Sequence, residues 1–215
     1  MVFAMANRRS IALLAGAVLV LSFVSHAAAA SPTQTLRGFF SQANRIVLSP
    51  DPDFLVEARR NIIRTLAHDV FDFREAAARA LGPEWQARTP PEREEFTRLF
   101  ADLLETGYIA MVGSKASVQG GLTMDYVGET IHDNAATVRT VVLTRNGADV
   151  RVDYQMVRAD ARWLVRDVNI DGLSLVANYR AQFQRVIQAS SYADLLARMR
   201  ARAPDAPPVA AARRC

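Results

Sequence analysis

The chain has 215 residues, half of them hydrophobic, with 26 basic and 22 acidic side chains and a formal net charge of +4. That near-balance argues against a nucleic-acid partner, and 25 of the 26 basic residues are arginine, Lys115 being the exception, which reads as codon bias and not as phosphate recognition. Cys215 is the single cysteine, so no internal disulfide can form and the fold is expected to rest on its core.

At the amino terminus, Arg8 and Arg9 precede an apolar run from Ile11 to Val24 and then the small-residue tract SHAAAA. This is the order of a cleavable secretory signal, with Ala28 and Ala30 placing the cut near the Ala30/Ser31 bond. The run falls short of the ~20 residues that span a bilayer. No cysteine stands immediately after the cut, so an acylated amino terminus is not expected. Residues 1–30 are therefore read as a signal peptide, 31–203 as one domain, and 204–215, rich in Pro and Ala, as a disordered tail.

Within the domain, Leu36, Phe39, Phe40, Ala43, Ile46 and Val47 recur at helical spacing from Pro32 to Leu48. A second helix is expected from about Asp53 to Val70, with Asp51 or Asp53 as its cap, and a short third one over REAAARALG, ended by Gly82 and Pro83. Thr89, Pro90 and Glu92 open a fourth, with an apolar face of Phe96, Leu99, Phe100, Leu103, Leu104, Tyr108 and Met111. Glu94, Glu95, Arg98, Asp102 and Glu105 fall on its remaining surface.

Beyond Gly121 the period changes to two. Strands are expected around Leu122 to Tyr126, over Ala136 to Thr144, from Val150 to Met156 and over RWLVRDVNI, with Asn146-Gly147 closing one hairpin. Ser174 caps a helix carrying Leu175, Tyr179, Phe183, Val186 and Ile187, and a last helix covers Tyr192 to Arg202. Helices, a meander, then helices again predict an α+β fold in which helices pack on a curved four-stranded antiparallel sheet.

No catalytic motif of defined spacing is present, and neither a metal nor a cofactor is expected. His68-Asp69 lacks the further ligands that a metal-dependent hydrolase needs. Asp69 with Asp72, or the glutamates Glu92, Glu94 and Glu95, have the residue types of a glycosidase pair, but the glutamates suit a solvated first helical turn better. The aromatic residues instead concentrate on inward stripes: Phe39, Phe40, Phe71, Phe73, Phe96, Phe100, Tyr108, Tyr154, Trp163, Tyr179 and Phe183.

Two stretches, FDFREAAARALGPEWQARTPPEREEFTRLFADLLETGY (71–108) and WLVRDVNIDGLSLVANYRAQF (163–183), resemble the MlaC or toluene-tolerance family of periplasmic phospholipid-binding proteins. Asp167, Gly172, Ser174, Leu175, Asn178, Tyr179, Arg180 and Phe183 carry the second signature, and the likeness runs from about Thr33 to Arg202. The resemblance implies a nuclear-transport-factor-like cone with an apolar pocket. It also implies a non-enzymatic periplasmic carrier that shuttles phospholipid between an outer-membrane lipoprotein complex and an inner-membrane Mla-type ABC transporter complex. The expected pocket residues are Phe96, Phe100, Leu103, Tyr108, Tyr126, Val152, Tyr154, Trp163, Leu175, Tyr179 and Phe183, and Arg180 is read as an exposed helix arginine or the partner of a carboxylate such as Asp167, ahead of a phosphate or partner contact. Other readings are a carrier of hopanoids, an interaction module with a solid core, or an enzyme using His68, Asp69 and Asp72.

Overall fold

The computed structural model describes residues 30–49, 56–115, 123–143 and 149–202, with side chains described at all of these except 56–57, 59–60, 107–115 and 202. The signal segment, the Asp51 or Asp53 cap, the Asn146-Gly147 turn and the 204–215 tail lie outside the described residues. Helix α1 (Pro32–Val47) opens with a reciprocal capping box, Ser31 accepting from the Gln34 N–H and Gln34 accepting from the Ser31 N–H. Helix α2 (Val56–Val70) packs beside it and ends at Phe71. Asp72 then caps α3 (Phe73–Leu81), which stops at Gly82, where φ of 66° excludes most side chains, and a 3₁₀ turn runs on to Trp85.

Helix α4 (Pro90–Lys115) begins where the sequence places it, and the Thr89 N–H and hydroxyl both donate to Glu92, at 2.7 and 2.8 Å. Those bonds hold the Glu92 carboxyl below its ordinary range. Helices α5 (Leu175–Ala189) and α6 (Tyr192–Arg202) close the chain, α5 capped by Ser174, which accepts from the Ala177 N–H at 2.9 Å.

Between α4 and α5 lies an antiparallel meander: β1 (Met124–His132), β2 (Ala135–Val142), β3 (Val150–Ala159), β4 (Arg162–Ile170) and the two-residue β5 (Leu173–Ser174), in that spatial order. The sequence predicts four strands, and the fifth was missed because two residues carry no periodicity. Asp133, Asp160 and Asp171 open the tight turns of the described hairpins with φ of 51°, 54° and 49°, a left-handed conformation that aspartate tolerates better than most residues. One extra residue, Arg166, bulges out of β4, since Gln155 pairs with Asp167 while Met156 pairs with Val165. Beside it, the Phe71 backbone bridges Val165, and the Asp72 N–H donates to the Val165 carbonyl at 2.8 Å.

Two separate cores result. Leu36, Phe39 and Phe40 of α1 and Val70 of α2 pack with Val138, Val152, Tyr154, Met156 and Val165 of the sheet. A second core is wholly helical: Ala77 and Leu81 of α3, Phe96, Leu99, Phe100 and Leu103 of α4, Phe183 of α5 and Met199 of α6. Their seam runs past Asp167, a buried carboxylate that accepts from the Val168 N–H at 2.8 Å, the Ser174 hydroxyl at 2.6 Å and the Val176 N–H at 3.2 Å. Asp167 thus ties β4 to the start of α5 instead of pairing with Arg180, whose exposed guanidinium lies against Gly82.

Removing a buried charged acceptor leaves its donors unpaired, so Asp167→Ala should lower the stability measured by urea unfolding by about 3 kcal/mol, against about 1 kcal/mol for Ser174→Ala. Equal and small losses would show that the carboxylate does not hold the seam. Where α6 docks, burial first and then Glu92 push the Tyr192 phenol up to about 12, above the free value of 10.0. A raised phenol contributes stability in full below the unfolded value and loses it as pH rises through the folded one. The wild type should accordingly weaken between pH 10 and 12 more than Tyr192→Phe does, and parallel pH curves for the two proteins would refute it.

Candidate functional site

A cavity of about 740 Å³ opens between the two cores, within the usual size of small-molecule sites. Its floor is aromatic and aliphatic: Phe39 and Phe40 of α1, Phe71 and Phe73 at the α2–α3 junction, and Val165 and Val168 of β4. Phe39 meets Phe40 and Phe71 edge to face at 4.9 and 5.7 Å, and Phe71 stacks on Phe73 at 5.7 Å, so the rings brace one another. Ala43 and Val47 of α1, Ile63 and Ala67 of α2, Ala76 of α3, Leu104 of α4, and Leu175 and Val176 of α5 add to the apolar surface.

The wall facing α2 is the polar side of α4. Glu94, Thr97, Arg98, Ala101, Asp102 and Glu105 all line the cavity, and their spacing of three and one, repeated, is a single helical stripe. The apolar stripe of the same helix points away, into the helical core, except for Leu104, which lines the cavity and packs against both cores. Arg64 of α2 reaches across to Asp102 at 3.1 Å and to Glu105 at 2.9 Å, closing one side of the space with an ion-paired bridge. Arg74 of α3 and the bulged Arg166 also line it, and the Arg166 Nε is buried without a hydrogen-bond partner among the described residues.

The structure therefore distributes the expected pocket residues differently from the sequence reading. Of those whose side chains are described, Leu175 lines the cavity. Phe96, Phe100, Leu103 and Phe183 are buried in the helical core, with Tyr179 half-buried against them. Val152, Tyr154 and Trp163 are buried under α1 and α2, with Tyr126 packed at their margin. Burial pushes the Tyr126 phenol up, offset in part by the Arg37 guanidinium 4.1 Å from its ring centre. Tyr108 has its side chain outside the described residues.

The reason is geometric. Periodicity identifies which face of α4 is buried but not the element that buries it, and α3, α5 and α6 take that face. The floor residues Phe39, Phe40, Phe71 and Phe73 were visible as inward aromatics, whereas Arg64 and Arg166 carried no signal that set them apart from other arginines. Of the proposed enzymatic residues, His68 lies on the rim with its ring 4.8 Å from Phe73, Asp69 is exposed, and Asp72 is the α3 cap. Among the described residues, no group of three or more His, Cys, Asp or Glu side chains is placed to hold a metal ion.

Among solved structures, the chain is similar to the phospholipid-binding protein from Ralstonia solanacearum, solved in complex with a phospholipid. The two share 23% identity over 81% of this chain and 98% of that one, with a TM-score of 0.69, a likeness of fold. An NTF2-like transpeptidase structure from Campylobacter jejuni, at 14% identity and a TM-score of 0.34 over 63% of this chain and 97% of that one, is too distant to argue from. No curated protein matches the sequence. The model of the MlaC protein family, by contrast, matches residues 43–201, from the second half of α1 to the last turn of α6, and the chain belongs to that family.

Proposed function

We propose that this protein is a periplasmic carrier that holds the acyl chains of a phospholipid in the cavity between its two cores. The observation that carries the reading is the cavity itself, an aromatic floor under a charged rim in a chain of this family. The phospholipid carried by the Ralstonia solanacearum protein, which shares the fold, supports the choice of ligand. At ~0.8 kcal/mol per buried methylene, sheltering a dozen of them supplies about 10 kcal/mol, enough to keep a lipid out of water without any catalytic group. We take the protein to act by binding and release, not by chemistry.

Residues 1–30 have the form of an export signal, and no helix among the described residues is long and apolar enough to cross a membrane. A carrier so addressed would exchange its cargo between an inner-membrane Mla-type ABC transporter complex and an outer-membrane lipoprotein complex.

Native mass spectrometry of the purified protein should show a co-purifying species of phospholipid mass, and a lipid-free protein that takes nothing from phospholipid vesicles would defeat the proposal. Ala101, buried midway along the cavity wall of α4, supplies a second test. Ala101→Trp directs an indole into the space, and so does Ala67→Trp from the opposite wall. Each should cut bound lipid about tenfold while circular dichroism stays native. Undiminished lipid in both folded variants would place the ligand elsewhere.

A further inference from the structure

The charges around the cavity do not pair off evenly. Asp102 and Glu105 are engaged by Arg64, with the Glu105 Oε1 left buried without a partner among the described residues, Asp72 accepts from the Glu75 N–H as the α3 cap, and Asp167 accepts its three bonds at the seam. Of the lining acids only Glu94, exposed at the rim, remains outside these arrangements. Three lining arginines, Arg74, Arg98 and Arg166, have no acidic partner within ion-pair distance among the described residues. Arg74 has its guanidinium 5.8 Å from the Trp85 ring centre.

Chain geometry brings two of them to one junction. The Asp72 N–H bond to the Val165 carbonyl places the start of α3 against β4, so Arg74, two residues on, and Arg166, one residue on, flank the same seam. Arg98 faces the cavity from α4, which packs on α3. The Arg166 Nε is the sharpest sign: a buried donor with no partner costs about 1–3 kcal/mol, and a bulge that re-aims this residue into a cavity wall gives it a reason to be kept. Guanidinium groups bind phosphate oxygens through paired N–H donors, more strongly than neutral groups do.

We infer that Arg74, Arg98 and Arg166 form a clamp for the phosphate of a lipid headgroup, so that the cavity selects its cargo by the phosphodiester as well as by the acyl chains. This rests on the carrier reading and adds a preference that an apolar pocket alone would lack. It sets lipids bearing a phosphate apart from lipids with the same tails and none, such as diacylglycerol.

The test is a competition. Delipidated protein is given equal concentrations of phosphatidylglycerol and of diacylglycerol with identical acyl chains in detergent micelles, and native mass spectrometry reads the ratio bound. The wild type should favour phosphatidylglycerol by about tenfold or more. In the Arg74→Gln/Arg98→Gln double variant and in Arg166→Met the ratio should fall towards one. Arg166→Met should also melt no lower than the wild type, since it removes an unsatisfied donor, an outcome that a merely structural arginine would not give. Equal loading of the two lipids by the wild type, or an unchanged ratio in both variants, would overturn the clamp and leave the carrier standing. Failure of the wild type to load either lipid would remove the carrier reading and the clamp with it. Displacement of bound phosphatidylglycerol by millimolar inorganic phosphate would overturn the headgroup assignment in favour of a free-anion site.

Discussion

The architecture turns on how one helix disposes of its apolar face. Phe96, Leu99, Phe100 and Leu103 of α4 must leave water, and α3, α5 and α6 provide a complete helical core for them. That satisfies α4 without the sheet. The inner surface of the sheet is then left chiefly to α1 and α2, which meet α4 only through Leu104, packed against the sheet-side core, and the Arg64 bridge to Asp102 and Glu105. A space bounded by two self-sufficient cores remains. That space, of about 740 Å³, has an aromatic floor, charged walls and an opening to solvent. Its aromatic floor suits an occupant with hydrocarbon.

The seam between the cores is fastened by polar contacts concentrated along a few residues of β4. Val165 accepts a backbone bond from Asp72, Arg166 is the bulge, Asp167 holds Ser174 and the first turn of α5, and Val168 returns to the sheet-side core. Four consecutive residues thereby define the positions of α2, α3 and α5 relative to the sheet, and all four line the cavity. The signature stretch from Trp163 to Phe183 has a physical basis in this junction: it contains the strand, the bulge, the turn and the helix cap.

Most elements were readable because each has a local cause. Ser174, Thr89 with Glu92, and Gly82 mark helix ends through hydrogen bonds or backbone freedom that belong to those residues, and the alternation of Val150, Val152, Tyr154 and Met156 follows from the pleat. The site was less readable because its causes are not local. Nothing in the order of Val165, Arg166 and Asp167 announces a bulge, which exists only relative to Gln155 and Met156 on the neighbouring strand. Asp167 could be recognised as a signature residue, but its role as a cap depends on where the turn at Gly172 returns the chain. The side of α4 set aside as surface, Glu94 through Glu105, became a wall because a second layer stands opposite it.

The two faces of α4 have a consequence for how such a protein diversifies. Substitutions at 96, 99, 100 and 103 act on the helical core, whereas those at 94, 97, 98, 101, 102 and 105 act on what the cavity presents to its contents. Because one helix keeps these sets a half-turn apart, the lining of the cavity can change through substitutions that, Ala101 aside, lie away from the packed interior.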